Sequence, residues 1–185
     1  TLTSSGNLDL TDISNFNFKV GRDLTLQGQN LNLKDIFLPQ SFLTRDVKLL
    51  APTGNINLDE VQLFTGRNLN LEAQSITTTL PRSNRNELQA GQDLILKAQT
   101  ATLDGLGLFG DKFSAGRNLD FNVTGNLKID DTALNSGKNL NLQTSGELSL
   151  DSTSFTATEN LNLTANSIST DFSFNSLDAG QNLTV

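Results

Sequence analysis

The segment GRNLDF, Gly116–Phe121, recurs along this chain of 185 residues at a nearly constant interval. Degenerate copies begin at Thr44 and Thr158, and the well-formed copies begin at Gly21, Gly66, Gly91, Gly116, Gly137 and Gly180. Successive copies start 23, 22, 25, 25, 21, 21 and 22 residues apart. Because units of this length cannot bury their apolar side chains alone, they must stack on their neighbours. The period therefore predicts a solenoid.

Apolar residues alternate within each repeat, which is typical of strands with one buried face. In one repeat these residues are Leu119 and Phe121 in a first strand and Leu127 and Ile129 in a second, with Phe113 three residues before the glycine marking a third. Crossovers between parallel strands are right-handed in nearly all proteins. The sequence predicts an all-β, right-handed parallel β-helix of about eight coils with three short strands each. Residues 1–185 are expected to form one continuous segment, uncapped at both ends.

Composition removes several classes of function. The chain has a formal net charge of −7, so a nucleic-acid backbone or an anionic membrane surface would be repelled. It lacks cysteine and histidine, which excludes thiolate nucleophiles, histidine bases and the common zinc sites. No apolar run reaches the roughly 20 residues that span a bilayer. We expect a protein that is not an enzyme, binds no nucleic acid and does not insert into membranes.

Two polar columns have a structural explanation. The six glycines that open the repeats are expected to adopt a backbone angle that a Cβ disfavours, in a tight turn. Stacked amides before the first leucine are expected to hydrogen-bond along the axis as a ladder. The amides of this ladder are Asn68, Asn118, Asn139, Asn160 and Asn182. Basic residues beside them, such as Arg117, are expected to form a solvated and partly paired face.

A column of acids follows the second strand in four consecutive repeats, at Asp104, Asp130, Asp151 and Asp171. Three interpretations are open. Each carboxylate could accept backbone N–H groups in its own turn, the four could share calcium, or a pair could act as glycosidase machinery. We expect no other cofactor.

Three insertions interrupt the regular coil, at Phe37–Phe42, Leu80–Asn86 and Gly105–Lys112. Loops on a rigid scaffold often carry recognition, although these could also pack beside the rod. The candidate interaction residues in the insertions are the aromatic Phe37, Phe42 and Phe109 and the basic Arg82 and Arg85.

The repeated GRNLNL and GQDLIL phrases, each followed by a second strand, resemble the haemagglutinin-type repeats of the filamentous haemagglutinin-like family of two-partner-secretion exoproteins. The resemblance covers the whole chain. It implies a secreted, extracellular β-helix used for attachment, aggregation or display, here as the shaft or repeating unit of a bacterial fibre. Its partners would be copies of the chain stacked end to end, flanking β-helical segments, or a surface glycan or receptor. The alternative is a carbohydrate-binding or carbohydrate-active β-helix with a carboxylate-lined surface.

Overall fold

A computed structural model describes residues 1–13, 22–38, 45–79, 85–105, 110–171 and 175–185. Within these ranges the chain is all β, with twenty strands and no helix. Four residues that the sequence singled out, Gly21, Phe42, Arg82 and Phe109, lie outside the described ranges.

The strands form three faces of a coil. The first face contains β1 (Leu2–Thr3), β3 (Leu24–Gln27), β8 (Leu94–Ala98), β11 (Asn118–Val123), β14 (Asn139–Thr144), β17 (Asn160–Thr164) and β20 (Asn182–Thr184). The second contains β2 (Leu8–Ile13), β9 (Thr100–Asp104), β12 (Leu127–Asp130), β15 (Glu147–Asp151) and β18 (Ser167–Thr170). The third contains β7 (Glu87–Ala90), β10 (Asp111–Ala115), β13 (Thr132–Ser136), β16 (Ser154–Ala157) and β19 (Ser176–Ala179). Three longer strands turn from one face to the next: β4 (Leu31–Leu38), β5 (Val47–Thr65) and β6 (Leu69–Thr78).

Strands of one face pair in parallel with the strands of the next coil. On the first face Leu94 pairs with Leu119, Leu119 with Leu140, and Leu140 with Leu161. The result is a parallel β-solenoid of about seven coils, close to the eight expected. The right-handed sense of the coil stays a prediction.

The core is a continuous apolar column inside the coils. The residues predicted to point inward from the first face are buried in each coil from Leu24 to Leu161, and Leu119 has no exposed surface. Within the core the rings of Phe113 and Phe121 meet edge to face with centroids 5.9 Å apart. Leu183 is 49% exposed because β20 pairs with a neighbouring strand on one side only.

The glycine column is required for a different reason from the one expected. The φ angles of Gly91, Gly116, Gly137 and Gly180 lie outside the left-handed region. Instead, a Cβ at Gly116 would clash with the carbonyl oxygen of Gly91, and a Cβ at Gly137 would clash with that of Gly116. The expectation of an unusual backbone angle was wrong, since the constraint is the close approach of one coil's turn to the next.

Left-handed backbone occurs elsewhere in the coil, at the corner between the second and third faces. The residues with positive φ are Asp12 (57°), Asp35 (51°), Glu60 (56°), Asp131 (41°) and Ser152 (50°). Short polar side chains such as Asp tolerate this conformation better than most residues do. Most coils therefore bend at this corner without a glycine. In one coil Gly105 takes the position that Asp131 has in the next.

Substituting an inward and an outward residue of one coil tests the assignment of the faces. Leu119→Asp would bury an unpaired charge and should cost on the order of 3–5 kcal/mol of unfolding free energy. Arg117→Gln removes an exposed ion pair to Asp93 and should cost about 0–1 kcal/mol. Thermal unfolding followed by circular dichroism measures both changes, and equal Tm values for the two variants would refute the inward assignment of Leu119.

Candidate functional site

The amide ladder runs the length of the described rod in two hydrogen-bonding modes. In the later coils one side-chain amide hydrogen-bonds to the next. Nδ2 of Asn139 donates to Oδ1 of Asn118 at 3.1 Å, and Nδ2 of Asn160 donates to Oδ1 of Asn139 at 2.8 Å. The series continues to Asn182 at 2.8 Å. In the earlier coils a backbone N–H donates instead, as from Asn68 to Oδ1 of Asp46 at 3.2 Å. Side chains therefore reinforce the same axial direction as the backbone bonds.

The basic column beside the ladder is paired along the axis. A guanidinium bonds the ladder carboxylate of the preceding coil, with Nη2 of Arg117 2.6 Å from Oδ2 of Asp93 and Nη2 of Arg67 3.2 Å from Oδ2 of Asp46. Lys138 instead faces Glu159, with Nζ 3.8 Å from Oε1. These contacts make the column a chain of exposed ion pairs.

The aspartate column is stacked, and a lysine lies between two of its members. Asp130 is in register with Asp104 on one side and with Asp151 on the other. Nζ of Lys128 lies 3.2 Å from Oδ2 of Asp130 and 3.9 Å from Oδ2 of Asp104, so an ammonium occupies the position that the calcium interpretation gave to a cation. Across the described part of the chain, no group of three or more acidic side chains is arranged to hold a metal ion.

The four aspartates also differ in surroundings. Burial raises the pKa of Asp104, and the neighbouring carboxylate of Asp130 raises it further while Lys128 opposes the shift. Asp171 is exposed and lies just after β18. The calcium ladder of Asp104, Asp130, Asp151 and Asp171 stays a prediction, and Lys128 offsets part of the negative charge of Asp104 and Asp130.

A buried polar pair, Asn86 and Asp111, lies where the third face begins in two successive coils. Neither residue has exposed surface. Oδ1 of Asp111 accepts from the backbone N–H of Asn86 at 2.9 Å and from its Nδ2 at 3.1 Å. Oδ1 of Asn86 in turn accepts from the backbone N–H of Val61 at 2.9 Å. The pair thus belongs to an inward column of side chains, and the members of that column in earlier coils are apolar.

Burial dominates the ionisation of Asp111. Loss of water raises its pKa from the ordinary value of 3.8 to about 6, even though hydrogen bonds from Thr78 and Asn86 favour the carboxylate. The folded state therefore favours the neutral acid more than water does, and the carboxylate becomes the main form only above about pH 6.

Sequence reasoning missed this pair because both residues fell in predicted insertions. The structure places Asp111 and Lys112 in β10 and Asn86 directly before β7, so the insertions Leu80–Asn86 and Gly105–Lys112 were drawn too long. The available signal was spacing. Asn86 and Asp111 each stand two residues before an inward residue, Leu88 or Phe113, so the strand alternation already placed them inside.

The outer surface of the third face carries a mixed cluster next to these buried residues. Glu87 accepts from Nη2 of Arg85 at 2.9 Å and from Nζ of Lys112 at 3.1 Å. Burial raises the pKa of Glu87, but these two hydrogen bonds outweigh it and hold the pKa below its ordinary value of 4.5. Arg85, a predicted interaction residue, is therefore engaged in an ion pair.

Phe37 is the other predicted interaction residue within the described ranges, and its placement in a loop was wrong. It lies in β4, paired in register with Gln62, and the residue is 43% exposed. The ring meets that of Phe64 edge to face, with centroids 6.4 Å apart and an interplanar angle of 73°. The aromatic surface is thus part of a rigid sheet face.

The fold and the ladders define a repeat protein of the parallel β-solenoid class. No family model matches the chain, and neither the curated proteins nor the solved structures contain a match. Within the described ranges, the structure contains no helix of the length and apolarity needed to cross a membrane.

Replacing Asp111 by Asn should change the pH dependence of stability. The folded pKa of about 6 lies above the ordinary value of 3.8, so the wild type is most stabilised by this group below pH 3.8 and loses that contribution as pH rises through 6. The amide cannot ionise. Asp111→Asn should therefore be more stable than wild type at pH 7 by roughly 3 kcal/mol, and the difference should vanish near pH 3.8.

Urea denaturation at several pH values measures this difference. Asp120→Asn, on the outer surface of β11, is the matched control for replacing one carboxyl by an amide. A stability gap between Asp111→Asn and wild type that is the same at pH 4 and pH 7 would contradict a raised pKa for the buried Asp111.

Replacing one amide of the ladder tests whether the ladder stabilises the rod. Asn139→Asp leaves the acceptor for Asn160 but puts a carboxylate oxygen against Oδ1 of Asn118, so it should cost about 1–2 kcal/mol at pH 7. Asn122→Asp makes the same chemical change at an exposed position of the same face and should cost less than about 0.5 kcal/mol. Equal losses for both variants in chemical denaturation would show that the ladder contributes nothing.

Proposed function

We propose that this chain is a structural and adhesive shaft segment of an extracellular bacterial fibre. Its coils would continue into flanking β-helical segments or stack end to end against further copies. The observation that carries the proposal is the unbroken parallel register from coil to coil, which a further coil can continue. At one end of the described sheet β1 pairs only with β3 and β2 only with β4, and at the other β18, β19 and β20 each pair with one earlier strand.

Such edges favour the addition of another strand. A parallel strand with a neighbour on one side presents a row of N–H and C=O groups to any chain that can match its register. The side chains at these edges are apolar as well. Leu2 is 43% exposed, and at the opposite end Ile168 and Leu183 are 38% and 49% exposed.

An apolar cavity of about 40 Å³ lies behind the first of these edges. It is lined entirely by aliphatic side chains, among them Leu2, Leu10, Leu26 and Ile36. A coil added at this edge would remove aliphatic surface from water, at about 25 cal/mol per Å². Backbone pairing and apolar burial would thus act together at a joint between coils.

The ladders suit a segment that carries tension along its axis. Backbone hydrogen bonds, side-chain amide hydrogen bonds and ion pairs all join one coil to the next. A pulling force along the axis is therefore shared by many contacts at each junction between coils. The acidic charge of −7 repels rods side by side and leaves the ends as the favoured place of contact. A chain without cysteine also avoids mispairing in the oxidising compartments that an exported protein crosses. These features support an extracellular shaft, with no catalytic role.

Filament formation tests this proposal. Purified chain at physiological salt should form thin filaments in electron micrographs, with an axial spacing of about 4.8 Å in fibre diffraction. The double substitution Leu2→Lys with Leu183→Lys should abolish the filaments by placing charge at both edges, whereas Thr25→Lys, on an outer surface, should not. Cleavage of acidic polysaccharides should be undetectable.

One result would contradict the proposal. It is a monodisperse 20.0 kDa monomer at every concentration whose terminal strands exchange their amide protons as slowly as the central ones.

A further inference from the structure

A column of polar side chains runs inside the rod at the point where the third face begins. In the earlier coils this position is apolar, with Ile36 in register with Val61. From the next coil onward it is polar, and the first four polar members have almost no exposed surface. The polar members are Asn86, Asp111, Thr132, Thr153 and Asn175. Asp111 is the member whose side chain can ionise near neutral pH.

Two members of this column hold the backbone of the preceding coil in the same way. Oδ1 of Asp111 accepts from the N–H of Asn86 at 2.9 Å, and Oδ1 of Asn175 accepts from the N–H of Thr153 at 3.0 Å. We call Asn86 with Asp111 the acid joint and Thr153 with Asn175 the amide joint. The rod therefore contains one contact between coils in a titratable form and in a form that does not titrate.

Neutral groups supply the hydrogen bonds of Asp111. They come from Thr78 and Asn86, and the neighbouring strand β13 has no ionisable side chain. Across the corner lies the carboxylate of Asp104, which disfavours a second negative charge. Within the described ranges Asp111 takes part in no ion pair. The other charged groups nearby are Arg85, Glu87 and Lys112 on the outer surface and Lys128, Asp130 and Asp131 at the corner.

The enclosed acid joint suits a neutral carboxyl group better than a carboxylate. A neutral carboxyl keeps one oxygen as the acceptor for Asn86 and can donate its O–H to the hydroxyl oxygen of Thr78. A carboxylate at this position has lost its water and has no cation in place of it, and burial raises the pKa of Asp111 to about 6. Water would reach the carboxylate if the strands separated here. Ionisation therefore favours an open joint.

The opening need not spread to the other coils. Each coil of a solenoid contacts only its neighbours, so its stability is a sum of local contributions. The strand that follows Asn86, β7, has four residues. Two polar side chains also fill inward positions that are apolar at Ile36 and Val61, so less apolar surface holds these strands together. Segments with few buried apolar contacts are the ones that open on their own.

We propose that the acid joint is a pH-dependent weak point of the rod. In mild acid the joint is closed, and towards neutral pH it opens more often and admits water to Asp111, while the coils on either side stay folded. The amide joint keeps the same closed state across this range. The inference goes beyond the shaft proposal and does not depend on it, since the joint would act alike in a rod of any function.

Amide hydrogen exchange of the whole chain tests the inference. It is followed residue by residue by NMR and corrected for the intrinsic exchange rate at each pH. A carboxyl group with a pKa of about 6 when enclosed and 3.8 in water makes opening about tenfold more frequent at pH 7.5 than at pH 5. We expect this increase at the N–H of Asn86, which Asp111 accepts. The N–H of Thr153 should keep its protection and serves as the control within the same molecule.

Two substitutions of an acid by its amide separate Asp111 from its neighbour. Asp111→Asn should remove the increase at Asn86, because the new side chain cannot ionise. Asp104→Asn removes the carboxylate across the corner and should leave most of the increase in place. Circular dichroism at pH 5 checks that both variants are folded.

Three results would overturn the inference. The first is equal protection of Asn86 at pH 5 and pH 7.5. The second is an equal loss of protection at Thr153, which would mean that the whole rod opens. The third is an increase at Asn86 that survives Asp111→Asn. The first two results come from the wild-type chain, so they decide the matter even if a variant fails to fold.

Discussion

The structure depends on one constraint: each coil must bond to the next through parallel strands in a fixed register. Backbone N–H and C=O groups cannot be satisfied within a coil, so they bond along the axis to the coils on either side. Once Leu119 pairs with Leu140, the other residues of β11 also face their equivalents in β14. Apolar residues then stack on apolar residues, and amides stack on amides. The glycine turns become so closely spaced that a Cβ at Gly137 would strike the carbonyl of Gly116.

The same constraint explains what could be predicted from the sequence. The repeat spacing and the alternation around Leu119 and Phe121 are enough to predict the class of fold, the parallel stacking, the inward columns and the amide ladder. The glycine column was identified correctly but explained wrongly, because the contact that excludes a Cβ belongs to a neighbouring coil. The left-handed corner at Asp131 was missed because a single aspartate is common in many kinds of turn.

Polar residues were harder to interpret than apolar ones. Asp130 and Asp104 suggested a cation site from their stacking, but Lys128, two residues before Asp130, supplies the positive charge. Asp111 occupies an inward position that alternation implies, yet an acid in a core is rare enough to be read as part of a loop. Contacts between coils decide whether a polar side chain is open to a ligand or already paired with another residue of the chain.

Engineered disulfides test the central claim, the register between coils, most directly, because the chain has no cysteine of its own. Asn122 and Gln143 are register partners on an exposed surface, so Asn122→Cys with Gln143→Cys should form a disulfide rapidly and without loss of fold. Asn122→Cys with Asn141→Cys is displaced by two residues, beyond about 7 Å between Cα atoms, and should stay reduced. Rapid oxidation of the displaced pair, with the register pair left reduced, would contradict the account.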